Sequence, residues 1–311
     1  MRHSNVGVAS TVPSAPTIMP ALPRPRRAFH PRIEIHLGDN LDVVRRFPSG
    51  SFDLIYIDPP FNTGRRQKRT QLRTIRDDAG DRVGWSLKRY RTVRLATRGY
   101  ADAFDDYLGF LAPRLEEAHR LLAPAGSFFL HLDFREVHYA KVVCDGIFGR
   151  ESFMNEIIWA YDYGARARTR WSPKHDNILW YAKDPERYAF DLAAVDRIPY
   201  MAPRLVGAAK AARGKTPTDT WWHTIVSPNS REKTGYPTQK PLGVVERIVR
   251  VHSRPGERLL DFFAGSGTLG EAAARTGRHA TLVDHSRDAV DVMRRRLAFA
   301  RPRVHLGASV A

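Results

Sequence analysis

The chain has 311 residues, 42% hydrophobic and 27% charged, which suits one large α/β domain with an insertion in a globular protein. No apolar run approaches the roughly 20 residues that span a bilayer, and the single cysteine, Cys144, excludes an internal disulfide and a cysteine-based metal cage. Fifty Lys and Arg against 33 Asp and Glu leave a net charge of +17, which points to a polyanionic partner.

Residues 1–31 are rich in Pro, Ala and Ser and lack a continuous apolar core, so a disordered tail is expected and not a signal peptide. A reducing cytoplasm fits the lone cysteine. IEIHL at 33–37 alternates as a strand, and GDN at 38–40 offers a turn and a cap for the helical LDVVRRF. LIYI at 54–57 has no polar break, the pattern of a strand buried on both faces, and it runs into Asp58, Pro59, Pro60 and Phe61. Between 62 and 100 stand twelve Lys or Arg against three Asp, a surplus that accounts for more than half the net charge. With few aliphatic residues and no clean period, 62–104 is expected to form a long basic loop or lid.

A helix is expected from about Asp105 to Leu122, with Leu108, Leu111 and Leu115 on its apolar stripe and Pro113 kinking or starting it. The strand SFFLHL at 127–132, a helix over about 135–148 and the strand EIIWAY at 156–161 follow. From 162 to 235 the composition turns to Arg, Trp, Tyr and Pro with short strand-like pieces, NILWYA and WWHTIV, as in an inserted recognition region. A helix near 242–253, the strand RLLDFF, a helix from Gly267, the strand ATLVD and a helix near 286–299 complete a doubly wound pattern.

Gly265, Gly267 and Gly270 fit G-x-G-x-x-G between a strand and a helix, where glycines allow close backbone approach and the helix start favours electron-rich groups. ATLVD ends at Asp284, nineteen residues after Gly265, where a carboxylate can accept from a ribose diol. A nucleoside-bearing cofactor is expected. Only 41 residues follow Gly270, too few to complete the sheet, so the N-terminal strands must finish it and the sheet is circularly permuted. The twelve histidines show no H-x-x-x-H pair or comparable spacing, and no metal is expected.

With LIYIDPPF, YPTQKP at 236–241 and DFFAGSGT at 261–268 in that order, the chain resembles the beta group of amino-DNA methyltransferases over most of 33–300. The resemblance implies a Rossmann-like, S-adenosylmethionine-dependent methyltransferase fold with an inserted target-recognition region. It divides the chain into the tail, a catalytic half at 32–161 that holds the basic loop, target recognition at 162–235 and a cofactor-binding half at 236–306. By position it gives Asp261, Phe263, Ala264, Gly265, Ser266, Gly267 and Thr268 to the methionine end of the cofactor. Asp284 goes to its ribose and Asp39 to its adenine, while Thr238, Lys240 and Pro241 close over it. Phe262 departs from the proline common in related sequences and leaves the glycines unchanged.

An exocyclic amine is a poor nucleophile because its lone pair is delocalised into the ring. Asp58 can accept one N–H and the Pro59 carbonyl the other, turning the lone pair towards the cofactor's methyl. Both prolines fix the corner, and Phe61 can stack on a base flipped out of double-stranded DNA. Arg65, Arg66, Lys68 and Arg69 in the basic loop, and Arg166, Arg168, Arg170 and Lys174 beside Trp171, Trp221 and Trp222, are candidates for DNA contacts. The leading expectation is adenine-N6 methylation, because in the family that the chain resembles an aspartate at the head of D-P-P-F favours adenine, and the enzyme would work in the cytoplasm on the nucleoid. Cytosine-N4 methylation, a nicotinamide-dependent oxidoreductase and a catalytically decayed DNA-binding module are the alternatives. A homodimer and a separate restriction endonuclease are open as partners, since a chain of this length has no room for a nuclease domain.

Overall fold

The computed structural model describes residues 30–76, 82–83, 89–164, 166–227 and 229–306, and over 65–101 it describes the backbone. The expected tail lies almost wholly outside the described residues. A nine-stranded sheet runs β12-β1-β11-β10-β2-β6-β8-β7-β9. Its strands are β1 (Ile33–Leu37), β2 (Phe52–Ile57), β6 (Leu122–Leu132), β7 (Phe153–Ala160), β8 (His175–Ala182), β9 (Thr220–Trp222), β10 (Arg258–Asp261), β11 (His279–Asp284) and β12 (Arg303–Leu306). Strands β10 and β11, from the C-terminal part of the sequence, lie parallel between β1 and β2. This is the permuted order that the short C-terminal remainder required.

Alternation along β2 explains the layers. Leu54 and Tyr56 face a core completed by α5 (Leu242–His252), α6 (Thr268–Thr276) and α7 (Arg287–Arg296). Ile55 and Ile57 face the opposite core, made with α2 (Tyr107–Leu121) and α3 (Val137–Phe148), where Cys144 is fully buried. A strand covered on both faces has no polar side, hence the unbroken LIYI. Short helices α1 (Asn40–Val44) and α4 (Ala208–Arg213) complete the set. Pro113 stands inside α2 and not at its start, which is set by Asp106 accepting the Gly109 N–H at 2.8 Å. No helix among the described residues is long and apolar enough to cross a membrane.

One expectation is corrected. The basic segment 62–104 is not a loop: β3 (Arg65–Arg76) and β5 (Arg89–Asp102) pair antiparallel from Arg65↔Asp102 to Arg76↔Tyr90, with β4 (Arg82–Val83) also on β5. A ribbon outside the main sheet needs no apolar period, and the Thr, Val and Tyr content of RTVRLATRGY is its remaining strand signal. NILWYA and the start of WWHTIV are strands as read: β8 inserts antiparallel between β6 and β7, and Thr220–Trp222 adds an edge strand beside β7. The 162–235 segment therefore supplies two strands of the main sheet.

Candidate active site

Where β2 ends, the chain turns through Asp58, Pro59 and Pro60. Asn62, at φ 52°, then sits in the left-handed region that Asn tolerates better than most residues. Its side chain donates to Glu136 Oε1 at 2.7 Å and accepts the Phe104 N–H at 3.1 Å, which pins the base of the hairpin. Each oxygen of the Asp58 carboxylate accepts from Lys240 Nζ at 2.7 Å, and the ammonium lies 4.5 Å from the Phe61 ring centroid. His131 of β6 sits 6.0 Å from Phe61 and is fully buried. Its Nδ1 is 2.7 Å from Tyr56 Oη and its Nε2 is 3.2 Å from Asp176, which also accepts from Tyr161 at 3.0 Å. Burial pushes the Asp176 carboxyl upward. The His131 hydrogen bond and charge, with Lys240 and Tyr161, outweigh it and leave Asp176 below its ordinary range.

The glycine loop links β10 to α6. Gly265 and Gly267 have φ of 48° and 75°, and a Cβ on them would lie 3.0 Å from Tyr236 and 2.8 Å from Met293. The Gly265 N–H and the Ser286 N–H donate to separate oxygens of Asp284, at 2.9 and 2.8 Å. From α7, Arg296 reaches under the loop to Ser266 Oγ at 3.1 Å and Thr268 Oγ1 at 2.9 Å while paired with Glu271. Thr268 Oγ1 also donates to the Lys240 carbonyl at 3.2 Å, so the loop and the YPTQKP segment are one unit. Within that segment Thr238 holds φ 55°, a rare conformation for a β-branched residue.

These elements wall one cavity, lined by Asp58, Pro60, Thr238, Lys240, Asp261, Phe263, Ala264, Gly265, Ser266, Thr268 and Asp284, together with Asn40 and Tyr56. A smaller cavity beside it is lined by Asp58, Pro59, Phe61, Thr63, Asp102, Thr238 and Lys240. Asp58 and Lys240 border both. The larger cavity is acidic. Burial raises the Asp261 carboxyl well above its ordinary range, helped by the charges of Asp58 and Asp284 and opposed by the Phe263 N–H. Burial raises Asp284 as well, against its two backbone donors. With Asp58 already paired to Lys240, the buried carboxyl groups of Asp261 and Asp284 suit a cationic ligand and oppose the pyrophosphate of a nicotinamide cofactor.

Asp39, Gly267 and Pro241 do not line the cavity. Asp39 caps α1, accepting from Leu41 at 2.8 Å, and its neighbour Asn40 lines the wall instead. Gly267 starts α6 and Pro241 starts α5. Among residues that the sequence did not single out, Tyr56, His131, Asp176 and Arg296 support the site.

The side chains of Arg65, Arg66, Lys68 and Arg69 lie outside the described residues. Arg168, Arg170 and Trp171 are exposed, Trp171 to 96%, while Arg166 pairs with Asp162 and Lys174 donates to the Tyr163 carbonyl. Trp222 is 75% exposed and Trp221 only 8%. Among the described residues one cluster has the makings of a metal site, Glu34 and His36 of β1 with His305 of β12, and none of the three lines the cavities.

Residues 52–295 match the model of the N6/N4 methyltransferase family, described as DNA methylase. The chain belongs to that family. It is 27% identical over 270 residues to the Type II methyltransferase M.ScaI of Streptomyces caespitosus, covering 83% of this chain and 79% of that one. It is 26% identical over 273 residues to the DNA adenine methyltransferase YhdJ of Escherichia coli, covering 85% and 82%. The fold is similar to that of M1.HpyAVI, solved as its SAM complex, with a TM-score of 0.55, 19% identity, and 85% and 98% of the two chains covered. Family membership and the acidic cavity together set aside the oxidoreductase alternative.

Proposed function

We propose that this DNA methylase transfers a methyl group from S-adenosylmethionine to adenine N6 at a specific sequence in double-stranded DNA, with the target nucleotide turned out of the helix. The observation that carries this reading is the position of Asp58 at the border of two cavities, one acidic and beside the glycine loop, the other floored by Phe61. S-adenosylmethionine fits the first cavity chemically, since its sulfonium and ammonium charges suit a wall that holds the carboxyl groups of Asp261 and Asp284. Asp284 would hold its ribose, with Asp261, Ser266 and Thr268 near its methionine end; when bound it supplies an activated methyl group.

The chain's own residues prepare the amine. Asp58 accepts one N6–H and the Pro59 carbonyl accepts the other, and the stiff Pro-Pro corner holds both acceptors in place. Phe61 stacks on the base and offsets the lost duplex stacking. As the N6–methyl bond forms, the S–methyl bond would break with its electron pair kept by sulfur, giving S-adenosylhomocysteine, and the surplus N6 proton would leave through Asp58 to solvent. Aspartate at the head of D-P-P-F supports adenine over cytosine, as does the name of the YhdJ relative. The enzyme would work in the cytoplasm, on the nucleoid.

The test is incubation with methyl-labelled S-adenosylmethionine and mixed-sequence unmethylated DNA, followed by digestion and mass identification of the labelled nucleoside. N6-methyladenine is expected. N4-methylcytosine would keep the mechanism and overturn the base.

A further inference from the structure

The resemblance assigns Lys240 to the cofactor, but its ammonium lies on Asp58, 2.7 Å from each carboxylate oxygen and 4.5 Å from the Phe61 centroid. The residue is 8% exposed, and it lines the small Phe61 cavity as well as the large one. An ammonium has three donors and no acceptor, and an ionised carboxylate has about four acceptor sites and no donor. Two contacts between them leave one Lys240 donor unused and leave acceptor capacity on Asp58. The small cavity thus presents an acceptor and a donor side by side.

That order is the complement of one kind of base edge. Adenine places an amine donor beside the ring acceptor N1, and cytosine places its amine beside the ring acceptor N3. Guanine and thymine have the reverse, a carbonyl acceptor beside a ring N–H donor. We infer that Lys240 is a specificity-determining residue: with Asp58 it reads the amine and the adjacent ring nitrogen of the flipped base as one pattern. A keto base would set its oxygen against the Asp58 carboxylate and its ring N–H against the Lys240 ammonium, leaving buried groups unpaired, which is the costly arrangement. Lys240 is well held for the task. Its carbonyl accepts from Thr268 Oγ1 at 3.2 Å, and its side chain is fixed by Asp58 and Phe61, so the donor is set before the base arrives.

The inference rests on the adenine reading and is tested separately from it. Once the methylated site is known, duplexes are made with the target adenine intact or replaced by 1-deazaadenine, which keeps the amine and removes the N1 acceptor. Methylation rate is measured, and also DNA affinity in the presence of the inert product S-adenosylhomocysteine. For the natural enzyme the deaza base should lower both by roughly 10- to 100-fold, the effect of a buried hydrogen bond to a charged donor. For Lys240→Met, with folding checked by melting temperature, the penalty should shrink to about threefold or less, while Lys240→Gln, which keeps an amide donor, should retain part of it. An equal penalty in the natural enzyme and Lys240→Met, or none in the natural enzyme, would overturn the inference. Absence of N6-methyladenine from the intact duplex would instead overturn the adenine reading.

Discussion

Around Ser266 the chain provides its own partners: Arg296 donates to both loop hydroxyls, Glu271 neutralises Arg296, and Asp284 receives two backbone N–H groups. Between Asp162 and Lys174 the pattern is opposite, with Arg168, Arg170 and Trp171 exposed. The first region is built in advance, which suits the ligand of fixed shape and charge that the proposed function places there. The second region presents exposed charge and aromatic surface, which on the proposed function would face DNA. Substitution should therefore be felt in the fold around the loop and in DNA affinity around Trp171.

Arg296→Met makes the sharpest break. Removing one member of a buried pair leaves Glu271 with the half-exposed Arg275 as its remaining partner, and unfolding in denaturant should show a loss of about 3–4 kcal/mol, the lower part of the range for a broken buried pair. Trp221→Ala comes next, at about 3 kcal/mol or more, since that ring is buried, donates to the Thr218 carbonyl and lies under Arg247. Both losses belong to the prebuilt region's kind of chemistry.

Acid gives a smaller effect with a defined sign. Burial alone would raise the Glu271 carboxyl, but the Arg296 hydrogen bond and charge, with Arg275, hold it below its ordinary 4.5. A lowered carboxyl stabilises the fold above the unfolded value and loses that contribution as pH falls through the folded value. The stability gap between the natural protein and Arg296→Met should thus be constant from pH 7 to about 5 and narrow below about 4.5. A gap that widened in acid would contradict the pair's role.

The exposed region should give the smallest effect on the fold. Trp171→Ala should change stability by less than about 0.5 kcal/mol yet weaken DNA binding by roughly 5-fold or more, the scale of a lost stacking contact. If stability fell and DNA affinity held, the contrast between the two regions would be lost.

Much of this was legible in the sequence where one segment carries both its own signal and its role. LIYIDPPF reads as a doubly buried strand and a rigid acceptor corner, and the glycines read as a close-approach loop because Gly265 and Gly267 do adopt positive φ. The basic hairpin was hidden because a ribbon lying off the core has no apolar period to betray it. The place of β8 depends on an antiparallel insertion between β6 and β7 that no local pattern records. Long-range pairs were also invisible. Lys240 meets Asp58 across 182 positions, and Arg296 is one of three consecutive arginines of which the fold selects one.

The central claim is that Asp58 orients the target amine while other residues hold the cofactor. Its most direct test is Asp58→Ala with two readouts, S-adenosylmethionine affinity by calorimetry and methyl transfer to the identified site. Affinity should stay within about threefold, and transfer should fall by about 1000-fold or more. Near-normal transfer by this variant would contradict the account.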